Sequence, residues 1–95
     1  MKKIKLICIP CAGGMSYTYL KWMRYLDPLI KLVPIELSGR GSRNDSPLYR
    51  NFNEAIDDVF NEVEPYLNGD YAIFGHSMGS NIAYELYYKI VEKWN

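Results

Sequence analysis

Along this chain, short near-continuous apolar runs alternate with stripes at helical spacing. Ile4 to Ile9 is almost wholly apolar and rich in β-branched residues, the pattern of a strand covered on both faces. Pro10 and the glycines after it end that run. From Ser16 onward, Tyr19, Met23, Leu26 and Ile30 fall four, three and four residues apart. That spacing predicts a helix broken near Asp27-Pro28, with Tyr19, Met23 and Leu26 on its buried face. Residues 32–37, LVPIEL, read as a second strand, and Pro34 places it at a sheet edge because proline has no N–H for a neighbour. The stretch SGRGSRNDSP then reads as a loop. Asn51, with Glu54 three residues later, sets up a capping-box variant ahead of Phe52, Ile56, Val59, Val63 and Leu67 at helical spacing. Pro65 is expected to end or kink that helix. Asn68-Gly69-Asp70 reads as a turn, Tyr71 to Phe74 as a third strand, and the last helix carries Ile82, Leu86, Ile90 and Trp94 on one stripe.

The order is therefore β-α-β-α-β-α, which implies an α/β architecture: a three-stranded parallel sheet with flanking helices joined by right-handed crossovers. At 95 residues one domain spanning 1–95 is expected. Hydrophobic residues at 48% and charged residues at 23% are those of a globular chain and exclude disorder. Eleven basic residues balance eleven acidic ones, so no electrostatic footprint for nucleic acid or anionic lipid is present. The start, MKKIKLICIPCAGG, imitates a secretion signal, but Lys5 interrupts its apolar run and Pro10 closes it too early. No later stretch approaches the ~18 apolar residues of a membrane span. A soluble, cytoplasmic chain without membrane attachment is expected.

Two groups of residues suggest chemistry. Cys8 and Cys11 form C-I-P-C directly after a strand, as in thioredoxin-like redox motifs. A redox helix would continue past the second cysteine. Here Ala12-Gly13-Gly14 follows, and each glycine costs about 1 kcal/mol in a helix interior. The cysteines are read instead as two small buried apolar side chains, and metal binding lacks further ligands. The second group is GHSMGS, residues 75–80. An apolar strand, then Gly75-x-Ser77-x-Gly79, then a helix is the setting that gives G-x-S-x-G meaning, because the serine must occupy a sharp strand-to-helix turn. Such a turn crowds the positions two before and two after the serine, which accounts for both glycines. It also aims a helix N-terminus, with free N–H groups and a favourable dipole, at the serine. The alternative is a helix-capping serine without chemistry.

Three segments carry a family resemblance. ICIPCAGG resembles F-P-x-A-G-G, IELSGRGSR resembles E-x-P-G-R-G-x-R, and FGHSMGS resembles F-G-H-S-M-G-[AG]. In that order and spacing they are the motifs of the α/β-hydrolase thioesterases, specifically the stand-alone type II thioesterases that accompany nonribosomal peptide and polyketide synthases. The resemblance covers essentially the whole chain. It implies a partial α/β-hydrolase fold, with Ser77 as nucleophile and the N–H groups of Met78 and Ala12 as the oxyanion hole. It also implies a carrier protein bearing a phosphopantetheine-linked acyl group as partner, and no metal or cofactor. Ile9 stands where the family has Phe, Cys11 where an aromatic is common, and Ser38 where it has Pro. These departures are expected to reshape the acyl pocket or the loop at its mouth.

A nucleophilic serine needs a base, and His76 is the only histidine in the chain. Neighbouring residues on a tight turn project in different directions, so His76 is expected to pack and hydrogen-bond beneath the turn rather than serve Ser77. In the resembled family the acid and histidine follow later strands, and a complete member is well over twice as long. The expected reading is thus the amino-terminal part of a thioesterase, a poor hydrolase alone, with the triad completed by other polypeptide, a second chain being one source. The family's strand order would also leave the serine-bearing strand as an open edge, favouring association. The alternatives are a generic esterase of the same fold, an acyltransferase, whose opening Gln-containing glycine motif is missing here, and a truncated carrier-binding protein without turnover.

Overall fold

The structure is a computed structural model that describes residues 3–11 and 17–94. Its elements are β1 (Ile4–Ile9), α1 (Tyr17–Leu20) running into a 3₁₀ turn (Lys21–Arg24), β2 (Ile30–Pro34), α2 (Phe52–Val63), β3 (Tyr71–Gly75) and α3 (Met78–Trp94). Further 3₁₀ turns at Gly41–Arg43 and Glu64–Tyr66 flank α2. The sheet is parallel with order β2-β1-β3. β1, the most apolar run, is central, and its Ile7, Cys8 and Ile9 are fully buried.

The two sheet faces divide by residue parity, since strand side chains alternate. Ile7, Ile9 and Val33 join Ile56, Val59, Phe60 and Val63 of α2 and Ile82, Leu86 and Ile90 of α3 in the main core. Cys8 and Phe74, paired in register, face the other way. There Tyr19 and Trp22 stack edge-on against Phe74, with centroids 6.1 and 5.2 Å away. The side chain of Trp94, expected on the α3 stripe, lies outside the described residues.

Three expectations need correction. The first helix is one α turn followed by a 3₁₀ turn, and Met23 is 62% exposed. In a 3₁₀ turn, positions i and i+3 eclipse, so Trp22 rather than Met23 follows Tyr19 onto the sheet. Ile30, expected to continue the helical stripe, begins β2. Strand pairing ends at Pro34 instead of Leu37, although Ile35 and Leu37 stay buried in the core. The edge placement itself holds. Ile35 N–H donates to the Cys8 carbonyl at 2.9 Å, so the preceding residue aims its nitrogen away from β1, where the missing proline N–H disrupts nothing.

Asn51 caps α2 by accepting from the Glu54 N–H at 2.9 Å. Glu54 reciprocates one residue earlier than a capping box would, accepting from the Arg50 N–H at 2.8 Å. Pro65 falls in the 3₁₀ turn that closes the helix, as its ring requires. At the opposite end of the sheet from the serine turn, the Lys5 ammonium donates to the Asn68 carbonyl and, at 3.2 Å, to its side-chain oxygen. The residue that interrupts the first apolar run thus ties β1 to the turn ahead of β3.

Candidate active site

β3 ends at Gly75 and α3 begins at Met78, so His76 and Ser77 alone make the reversal. Ser77 has φ 58°, the only positive value at a non-glycine position among the described residues. A serine in that region carries about 1–3 kcal/mol of strain unless its surroundings hold it. They do so from both sides. The Gly79 N–H donates to the His76 carbonyl at 2.9 Å, and the Ser80 N–H and hydroxyl both donate to the Ser77 carbonyl, at 2.9 and 2.5 Å. A methyl group at Gly75 would strike the Gly79 carbonyl and lie 2.7 Å from the Ser80 nitrogen. One at Gly79 would strike the Ile9 carbonyl and lie 2.7 Å from the Pro10 oxygen. The two glycines are needed for room, and they press the start of α3 onto the end of β1.

The Ser77 side chain is exposed at the carboxyl edge of the sheet. Met78 is the first residue of the 17-residue α3, so its N–H has no carbonyl one turn earlier to take it. Ala12, expected to supply the second oxyanion donor, lies outside the described residues. The strand end leading to it is well held, because the buried Tyr19 hydroxyl donates to the Ile9 carbonyl at 2.7 Å, the same carbonyl that abuts Gly79. Burial, and then the nearby Cys8 and Cys11, push the Tyr19 hydroxyl pKa upward.

His76 departs from expectation. It is exposed and makes no side-chain hydrogen bond among the described residues. It directly follows β3, the strand at one edge of the sheet. The cysteines also differ from each other. Cys8 is fully buried and burial pushes its thiol up to about 11, whereas Cys11 is only half-buried.

The loop after β2 forms a wall beside the elbow and is fixed by residues that periodicity does not reveal. The Arg43 guanidinium grips Asp58 of α2 through two parallel bonds, 2.8 and 2.9 Å, and also donates to the Glu36 carbonyl. The Tyr49 hydroxyl donates to Asp58 and accepts from the Ser38 N–H at 3.0 Å. Ser38 stands where the resembled motif has proline, and the N–H that proline lacks is the one in use. For the Asp58 carboxyl, burial acts upward but is outweighed by the bonds from Arg43 and Tyr49, leaving it below the usual carboxylate range. Burial, with the bond to Asp58, pushes Tyr49 up to about 12. Gly41, at φ 47°, lies against the Glu36 carboxylate, and its left-handed backbone favours glycine there. Arg43 is visible in the motif GRGSR, whereas Tyr49 and Asp58 join it only through the folded loop. No cluster of potential metal ligands occurs among the described residues.

The thioesterase domain family matches residues 4–93. The chain is 34% identical over 93 residues to the gramicidin S biosynthesis protein GrsT of Aneurinibacillus migulanus, covering 98% of this chain and 36% of that protein. It is 38% identical over 81 residues to the human medium-chain S-acyl fatty acid synthase thioesterase, covering 84% and 31% respectively. Among solved structures, ClbQ from the colibactin NRPS/PKS pathway superposes with TM-score 0.92 at 41% identity, over 97% of this chain and 39% of that one. The chain thus spans about a third of the length of the relatives it matches. With its sheet order, its strained serine turn and these matches together, the chain belongs to the thioesterase domain family and has part of the α/β-hydrolase fold.

Proposed function

We propose that Ser77 is the nucleophile of a thioester hydrolase that removes acyl groups from the phosphopantetheine arm of a carrier protein in nonribosomal peptide or polyketide synthesis. The observation that carries this reading is the left-handed backbone at Ser77, enforced by Gly75 and Gly79 and placed at a helix N-terminus. The printed names of GrsT and ClbQ, tied to gramicidin S and colibactin biosynthesis, support the substrate class. Ser77 Oγ attacks the thioester carbonyl, the C–S bond breaks, the pantetheine thiol leaves with a proton, and water then hydrolyses the acyl-serine. The Met78 and Ala12 N–H groups bind the developing oxyanion. Each such donor is worth about 2.7–4 kcal/mol in comparable hydrolases.

Residues 1–95 act as the nucleophile-bearing part of the domain. His76, the chain's only histidine, precedes Ser77 in the turn and is not its base. The base and its orienting carboxylate come from other polypeptide that extends the sheet at β3, a second chain being one source. The working location is the cytoplasm, where carrier proteins are loaded; no described helix is long and apolar enough to cross a membrane.

Hydrolysis of an acyl-pantetheine thioester and of a simple aryl ester, by the chain with and without a polypeptide carrying the later strands with their Asp and His, tests this. The expected outcome is a gain of about 10⁴-fold or more on addition, larger for the thioester and abolished by Ser77→Ala. A second reading, a carrier-binding chain without turnover, draws on the exposed, unbonded His76. It would be supported by carrier binding that no added polypeptide converts to hydrolysis.

A further inference from the structure

A cleft of about 390 Å³ runs from the loop after β2 past the start of α2 to Met78, and it is lined by two guanidiniums, Arg40 and Arg50, and by no carboxylate. The two arginines differ. Arg50 is spent on Glu54, to which its guanidinium donates at 2.7 Å. Arg40 is exposed, and its side chain has neither an ion pair nor a hydrogen bond among the described residues. Its backbone, by contrast, is fixed. The Arg40 N–H donates to the Leu37 carbonyl at 3.2 Å, and the Arg40 carbonyl accepts from the Arg43 N–H at 2.8 Å, in the loop that Arg43 anchors to Asp58. Glu36 and Asp45, the acids nearest to it in sequence, do not line the cleft, and Glu36 is turned to the Ser42 N–H at 3.3 Å. The other polar groups of the walls are engaged: the Ser38 hydroxyl donates to the Pro47 carbonyl, the Tyr49 hydroxyl to Asp58, and the Asn51 side-chain oxygen caps α2. Arg40 is thus the charged group of the cleft with its donors unspent, and a planar fork of donors on a held backbone suits a phosphate or a carboxylate.

We infer that Arg40 receives the phosphodiester that joins the pantetheine arm to its carrier protein, while the thioester at the other end of that arm reaches Ser77; the inference rests on the thioesterase reading above. Under that reading the acyl group varies between substrates, whereas every substrate carries this one anion at a fixed number of bonds from the thioester. Between the two ends the arm is neutral, and the cleft offers it Leu37, Leu48, Phe52 and Met78 without a carboxylate to repel the phosphate. Because Arg40 is exposed, its pairing with the phosphate is modest and weakened by salt.

Calorimetric titration of the chain with the methyl diester of 4′-phosphopantetheine, and with pantetheine, which lacks the phosphate, tests the inference. The diester is expected to bind about fivefold more tightly at low salt, and the difference to shrink as salt is added. Arg40→Gln is expected to remove that difference. Arg24→Gln, which deletes an exposed cation outside the cleft, is expected to preserve it, with circular dichroism checking that both variants fold. Equal affinity for the two ligands would overturn the inference, as would a preference for the diester that survives Arg40→Gln. So would an Arg40-dependent preference for succinyl over butyryl pantetheine amides without one for the diester, which assigns the guanidinium to a carboxylate on the acyl group. None of these ligands reacts with serine, so an inert Ser77 would appear separately, as a failure of phosphonate labelling with the diester preference intact.

Discussion

At single residues, crowding of the backbone sets the geometry of the serine turn. Ser77 stays left-handed because backbone closes in on both sides of it, and Gly79 meets the Ile9 and Pro10 carbonyls, which no rotamer change can move. Gly79→Ala is therefore expected to destabilise the chain by about 1–3 kcal/mol, read as a lower urea midpoint at unchanged slope. The glycines were legible in the sequence because a sharp turn demands room at fixed offsets. The exposure of His76 was not, because it depends on what covers β3, a long-range matter that no local pattern encodes. The cysteines show the same divide: both are small and apolar by type, yet only Cys8 is fully buried. Mass spectrometry after iodoacetamide treatment at pH 8 is expected to find Cys11 modified and Cys8 protected until the chain unfolds, since burial raises the Cys8 thiol to about 11.

At the scale of elements, periodicity identified α2 and α3 well, because both lay one apolar stripe on a sheet that needs covering. It misjudged the first helix, where a 3₁₀ turn replaces the 3.6-residue spacing and Trp22 takes the place expected of Met23. The loop after β2 has no periodicity, and its shape comes from Arg43, Asp58, Tyr49 and Ser38 acting together. The Asp58 carboxyl is held below its usual range in the folded chain. Its contribution to stability is therefore present above the unfolded value of about 3.9 and is lost as pH falls through the depressed folded value. Asp58→Asn is expected to lower stability by about 1–2 kcal/mol at pH 7. The gap from the parent chain should close as pH falls below the unfolded value and through the depressed folded one. A gap independent of pH would remove the carboxylate from the account.

For the whole molecule, the order β2-β1-β3 leaves β3 paired with β1 alone among the described residues. Ala72 and Phe74 of β3 are exposed, as are Tyr84, Tyr87 and Tyr88 of the helix that follows it. An unpaired strand edge beside exposed aromatic rings promotes association. Sedimentation velocity is expected to show concentration-dependent assembly of the chain, and Ala72→Lys, which places a charge on the open edge, should shift it toward monomer. The three-stranded parallel architecture was readable from the alternation of strand and helix patterns, and Pro34 marked one edge. The other edge followed only from the family resemblance, since β3 carries no residue that forbids a neighbour.

The central claim is that the turn at Ser77 presents an activated hydroxyl beside backbone donors, and reaction with a fluorophosphonate followed by tandem mass spectrometry tests it most directly. The predicted result is a single adduct on Ser77, strengthened when a polypeptide bearing the later strands is added and absent after Ser77→Ala. Adducts spread over several serines and tyrosines, or none at Ser77 even with that polypeptide present, would contradict it.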